Sequence, residues 1–408
     1  MQITAMFAFG IIVVLQAFGD LLSAKTNGKL PSIFVTAILF LIGFWTVIPT
    51  EIIHVVGGKE VKSTLLNISG ISGTLFTLLL TLLVTSMGSL MSIKELISQW
   101  KTVIIGVMSL VGVMIFAYFI GGVIFGKEYG LVVAPPLAGG LASMDIMVKA
   151  ANSIGREDLA ITAAIVFSIQ GLVGYPIMTY ALRWQSKYIL EKFRAGSLRI
   201  IEPEELNSKV ENTPIKIFPT FSQKYLTPTV LIAKVAIVSW IAELISRMTG
   251  GAIHTYVVCL LLGIIASELG FLDKKIFSKS ETMGLLMVLL MGFVFGGLAS
   301  ATPQKIIQVA IPLFGTMIVG VSGIIIFGII TGKIFKETWM MSTAIAINCL
   351  CGFPPNYILT KEASRAIAKN DEEYNILMQE MLPKVLVGGF VTVTVGSVFV
   401  ASIFSKLM

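Results

Sequence analysis

Ten stretches of this chain, near residues 3–23, 31–49, 71–90, 102–126, 159–182, 229–246, 252–267, 282–299, 307–330 and 383–404, are apolar over about the twenty residues that cross a hydrocarbon core as one helix. No water-soluble core accommodates so many. The composition agrees, with 55% hydrophobic and 13% charged residues, against roughly 25% charged in soluble domains. A soluble enzyme, a secreted disulfide scaffold, a coiled coil and a nucleic-acid binder are excluded on this ground, and the net charge of +7 is expected in cytoplasmic loops instead. Met1–Ala5 carry no basic residue and no small-residue cleavage site follows, so the first stretch is read as a retained span rather than a signal peptide.

Two further apolar segments are interrupted. Residues 130–154 and 339–369 each contain a Pro-Pro pair and a glycine break, then a helix that carries charges. They read as re-entrant or broken helices. With both returning to the side they left, 21 of the 30 Lys and Arg residues fall on one side and seven on the other. That bias places both termini outside and the loop 184–227 in the cytoplasm.

Internal repetition organises the spans. Asp20–Gly28 matches Glu243–Gly251 at an offset of 223, and Gly122–Phe125 matches Gly332–Phe335. The expected fold is an all-α integral membrane protein of two repeats, 1–183 and 228–408, each with five spans plus one broken segment. An odd number of crossings makes the repeats inverted, and interruptions at equivalent positions of inverted repeats mark secondary transporters. The linker 184–227 reads either as a short surface helix around Trp184, Tyr188, Ile189 and Phe193 or as a tether.

The interruptions carry the candidate chemistry, because non-helical backbone at membrane depth is tolerated only inside protein or beside a water-filled cavity. In the first, Pro135 and Pro136 end a half-helix, Gly139 and Gly140 turn the chain, and Ser143 is the expected N-cap of the next helix. The second repeats the plan with Gly352, Pro354, Pro355 and Asn356 as expected cap. Helix N-termini attract a carboxylate and the preceding carbonyls can hold a cation. Substrate contacts are therefore expected at Gly139, Gly140, Ser143, Gly352, Asn356 and Gln170, and cation contacts at Asp145, Asn348 and Ser168. Lys149 offers Asp145 an i,i+4 ion pair as an alternative role. Three cysteines and two histidines without a clustered set of four ligands give no zinc site, and Cys349 and Cys351 read as packing residues.

Asn348-Cys-Leu-Cys-Gly-Phe353 resembles the Cys-Gly-Phe run in the second broken segment of the sodium/glutamate symporter family, and Gly139-Gly140 falls where that family has a Gly-Gly-His-Gly-Thr motif. The order of spans is similar over nearly the whole chain. Here Leu141-Ala-Ser143 stands in place of His-Gly-Thr, and Pro354-Pro355-Asn356 in place of the run after Phe. The resemblance implies sodium-coupled import of a glutamate-like amino acid or dicarboxylate, by elevator movement of a transport domain against the scaffold of a homodimer in the inner membrane. No resident cofactor and no catalytic residue is expected. A citrate-like carrier or a proton-coupled exporter is the alternative, with a passive channel or an intramembrane hydrolase more remote. Cysteines introduced at Met1, Gly58 and Met408 are expected to label with an impermeant maleimide on intact cells, and one at Asn207 only after permeabilisation; labelling of Asn207 on intact cells overturns the orientation.

Overall fold

Long apolar runs satisfy their own peptide groups without water by forming helices, and helices carry nearly all of the described chain. The computed structural model describes residues 4–50, 52–56, 59–71, 73–89, 93–197, 225–250, 255–274 and 276–408. Seven helices are long and apolar enough to cross a membrane: Ala5–Lys25, Trp100–Phe125, Glu157–Arg194, Pro228–Met248, Met283–Ser300, Pro303–Ile334 and Asp371–Ser405. They coincide with seven of the ten predicted spans.

The other three predicted spans form shorter apolar helices, Ser32–Thr46, Gly73–Gly88 and Thr255–Glu268. At 1.5 Å per residue these are about 21–24 Å long, below the ~30 Å of a hydrocarbon core. In the first of them, Pro49 follows closely and disfavours helix in the residue before it. The described chain is not purely α: Ile52–Val56 (β1) and Lys59–Ser63 (β2) pair antiparallel, with Ile52 opposite Ser63 and Val56 opposite Lys59. Residues 184–194 form neither a separate surface helix nor a tether. They continue one helix, Glu157–Arg194, because nothing in that run breaks the periodicity; the linker beyond 197, up to 224, lies outside the described residues.

Two compact units cut across the sequence halves: residues 1–72, 101–188 and 291–408 form one, and residues 73–100 and 189–290 the other. In the second unit, Gly73–Gly88 crosses Thr255–Glu268 where Gly88 and Gly263 let the backbones touch. An added Cβ on Gly88 meets Leu260 O at 2.4 Å, and one on Gly263 meets Thr85 O at 2.2 Å. Small residues serve this purpose between membrane helices. The buried Lys234 of this unit ion-pairs with Asp273 at 3.0 Å.

The first unit holds both interrupted segments as hairpins. The first hairpin is Lys127–Leu137 (α8) with Leu141–Ser153 (α9). Its two outer ends meet: Arg156, just past α9, ion-pairs with Glu128 in the first turn of α8, and forks onto Asp158 at 2.8 and 2.9 Å. Tyr129 donates to the same Asp158 carboxylate at 3.3 Å. The hydrogen bonds to Asp158 hold the Arg156 guanidinium above its ordinary range.

The second hairpin is Trp339–Cys351 (α16) with Pro355–Ile367 (α17). Its outer ends meet the long helix Glu157–Arg194 (α10) at one level. Thr338, the N-cap of α16, donates to Gln185 at 2.5 Å. Arg183 donates to Asn27 O at 2.7 Å, and the neighbouring Gly28 packs on both Arg183 and Ala366 near the end of α17. Asp158 and Arg183 are about 38 Å apart along α10 at 1.5 Å per residue, so the two hairpins are rooted at opposite ends of that helix. With the native cysteines replaced, Gln185→Cys with Thr338→Cys is expected to cross-link under mild oxidation, while Asp158→Cys with Thr338→Cys does not. Cross-linking of the second pair overturns the arrangement.

Candidate functional site

The hairpin tips come together inside the first unit. Gly139 and Gly140 take φ of +95° and +86°, values that only glycine adopts without strain. An added Cβ on Gly139 lies 2.3 Å from Cys349 O, one helical turn before the second tip, and one on Gly140 lies 2.6 Å from Val393 O. From the other hairpin, an added Cβ on Gly352 (φ +63°) lies 3.8 Å from both Val393 methyls. Both tips therefore rest on Val393, which lies in a π-helical turn, Val391–Gly396, that follows the helix Asp371–Phe390 (α18) and leads into Ser397–Ser405 (α19). Single π turns inside α-helices occur frequently at functional sites.

Neither expected cap is a cap. The α9 helix starts at Leu141, two residues before Ser143, with Gly140 at the N-cap position and no side-chain cap. The buried Ser143 hydroxyl turns back and shares its one hydrogen between Gly139 O, at 2.6 Å, and Gly140 O, at 2.8 Å. It secures the tip carbonyls, leaving the α9 N-terminal N–H groups without an intrahelical acceptor. Asn356 likewise sits inside α17, which begins at Pro355 after Pro354.

The two tips consequently differ in chemistry. Pro354 and Pro355 have no N–H, Asn356 N donates to Gly352 O at 3.0 Å, and Tyr357 N donates to Pro354 O at 3.1 Å. No N–H of the first α17 turn up to Tyr357 remains for an anion. The second tip contributes side-chain amides instead. Asn356 Nδ2 donates to Asn348 Oδ1 at 3.0 Å, and Asn348 Nδ2 donates to Val385 O. Both asparagines are fully buried, and Asn356 Oδ1 faces inward with no hydrogen-bond partner. Gly389 makes room, since a Cβ there meets Asn356 Nδ2 at 2.5 Å. Val385, Gly389, Val393 and Ser397 repeat every fourth residue, so one stripe of the last span carries the amide pair and both tips.

Gln170 is buried on α10, and its Oε1 also has no partner. One turn further, Gly174 abuts Leu350 and Cys351, which puts Gln170 on the face of α10 toward the second break. Ser168 lies elsewhere. It donates to Ala164 O at 2.8 Å and meets Ser300 Oγ at 3.0 Å, two residues and about 200° of helix away from Gln170. Asp145 pairs with Lys149 at 2.5 Å with half its side chain exposed, the i,i+4 alternative noted above. Val393 and Gly389 carried no signal in the sequence, being an apolar and a small residue in an apolar span. Among the described residues no three His, Cys, Asp or Glu side chains cluster as metal ligands, and the cysteine thiols are buried, with Cys349 donating to Ala346 O at 3.3 Å.

The sequence matches no protein-family model and no curated protein.

Asn348 holds the amide pair to Val385, so Asn348→Ala leaves the buried Asn356 Nδ2 donor without its partner, while Val385 O keeps its helical hydrogen bond. At about 1–3 kcal/mol for the unsatisfied donor plus about 1 kcal/mol for the lost bond to Val385, a loss of roughly 2–4 kcal/mol is expected in thermal or denaturant unfolding. Ser143→Ala frees two carbonyls that retain other acceptor geometry and is expected to cost about 1 kcal/mol. Equal effects of the two changes overturn this ranking.

Proposed function

We propose that this chain is a secondary active transporter, which moves a small organic anion, a glutamate-like amino acid or dicarboxylate, together with sodium by alternating access. The observation that carries the reading is the meeting of two re-entrant hairpins, rooted at opposite ends of α10, at one residue of the last span. Broken helices that meet at depth serve to present peptide dipoles to a ligand where no water would otherwise be.

An inverted duplication explains this geometry. Gly112 and Gly323 touch reciprocally, each accepting the other's close carbonyl at 2.3 and 2.4 Å from an added Cβ. Phe116 and Phe327, at the same offset of 211 between halves, meet edge to face with centroids 6.2 Å apart. Reciprocal contact of equivalent residues is what a two-fold relation produces. In this reading the hairpin roots lie on opposite membrane surfaces, the first outside with both termini, the second cytoplasmic with the 184–227 linker.

The tip chemistry divides the work. A substrate carboxylate is received by the N–H groups of Leu141, Ala142 and Ser143, with Gly139 and Gly140 allowing close approach. Asn356 Oδ1 and Gln170 Oε1 receive donor groups of the substrate, and Asn348 with the tip carbonyls and Gly352 faces the cation. Asp145 contributes through its charge if it leaves Lys149, and Ser168, on the other face of α10 from Gln170, takes no part. The unit that carries the hairpins is the moving part of an elevator in a homodimer of the cell membrane.

Purified protein in liposomes is expected to accumulate labelled glutamate or a dicarboxylate when sodium is higher outside, and to stop when an ionophore collapses the gradient. Asn356→Ala is expected to raise the half-saturating substrate concentration about tenfold, the equivalent of 1.4 kcal/mol. Saturation-free flux that ignores the sodium gradient overturns the proposal in favour of a channel.

A further inference from the structure

The second unit contains a mainly apolar groove of about 580 Å³ that carries several hydroxyls and one carboxylate, within the range of small-molecule pockets, and none of its lining residues belongs to the hairpins. Its walls come from Gly73–Gly88 (α4), Pro228–Met248 (α11) and Thr255–Glu268 (α12). Thr77 and Thr81 of α4, Ser239, Trp240 and Glu243 of α11 and Tyr256 of α12 are among the lining residues. Polar side chains on apolar helices are costly unless something answers them.

Counting protons shows what can answer. A hydroxyl has one hydrogen to donate. Thr77 donates its own to Gly73 O at 2.9 Å, Thr81 to Thr77 O at 2.6 Å, and Thr85 to Thr81 O at 3.0 Å. The 2.8 Å contact between Thr85 and Ser239 therefore uses the hydrogen of Ser239. Thr81 and Ser239 line the groove with lone pairs, and Thr77 is hydrogen-bonded to the Tyr256 hydroxyl beside them. Glu243 adds a carboxylate, one of whose oxygens is taken by Arg247 at 2.6 Å. Of the other donors, the Tyr256 hydroxyl is engaged with Thr77 and the Thr255 hydroxyl donates to Ser246 Oγ at 3.0 Å, which leaves Thr74, the Trp240 indole and Arg247.

An acceptor-lined groove with a carboxylate and two aromatic rings selects a ligand that is cationic and rich in N–H. We propose that this groove binds a primary alkylammonium group, whose three N–H donors meet Glu243 and the hydroxyl lone pairs while its charge lies beside Trp240 and Tyr256. A phosphatidylethanolamine headgroup and a free amine share that chemistry. A quaternary ammonium shares the charge but has no N–H to give.

The test uses the purified full chain in detergent, titrated with dihexanoyl-phosphatidylethanolamine, dihexanoyl-phosphatidylcholine and free ethanolamine while thermal unfolding is followed. The ethanolamine lipid is expected to bind about tenfold more tightly than the choline lipid, as a hydrogen bond to a charged group implies. Glu243→Gln is expected to abolish that preference. Thr81→Val, which removes an acceptor and leaves the carboxylate, is expected to reduce it several-fold, and serves if Glu243→Gln does not fold. Protection by free ethanolamine equal to that by the lipid assigns the site to a soluble amine, and protection by the lipid alone assigns it to a headgroup. No preference for the primary over the quaternary ammonium, or a preference that survives both substitutions, overturns the proposal.

Discussion

In a hydrocarbon medium an interrupted helix leaves peptide groups with no solvent to take them up, and the interior of the first unit is arranged around that cost. At the first break Ala138 N returns to Ala134 O at 3.0 Å and Gly139 N to Pro136 O at 2.9 Å, while Ser143 covers the tip carbonyls. At the second, Gly352 N returns to Asn348 O at 2.8 Å and prolines remove two donors outright. Among the buried side-chain atoms, the oxygens of Asn356 and Gln170 remain without a hydrogen-bond partner.

Charge follows the opposite distribution. The hairpin roots are ionic: Arg156 with Glu128 and Asp158 at one, Lys384 with Glu337 at 2.7 Å near the other. Glu362 on α17 accepts from both the amide and the hydroxyl of Ser32, tying that helix to the turn between the first two helices. The tips themselves carry only amides, hydroxyls and peptide dipoles. The Arg156 pairs are partly exposed and cost little to break, whereas the Lys384–Glu337 pair is largely buried. Neutral dipoles at the tips avoid the large desolvation cost of a buried charge.

Membrane class, the breaks at Gly139–Gly140 and Gly352, and the pairing of Asp145 with Lys149 were all legible in the residues, since each depends on local pattern: hydropathy, proline and glycine, and i,i+4 spacing. The caps lie three and two residues earlier than expected, at Gly140 and Pro354. Proline is tolerated in a first helical turn, where its missing N–H would have no partner, and so Ser143 and Asn356 are first-turn residues with different partners.

Apolar run length determined by itself that the chain is a bundle of membrane helices, because burial of peptide groups in lipid admits few alternatives. Proline and glycine determined by themselves where two of those helices stop. Only the tertiary structure decided that both stops rest on Val393, that the halves mix into two units, and that Thr77, Thr81 and Ser239 have spent their hydrogens. Those facts depend on which distant backbone each side chain meets, and residues as plain as Val393, Gly389 and Gly323 acquire their roles from that meeting alone.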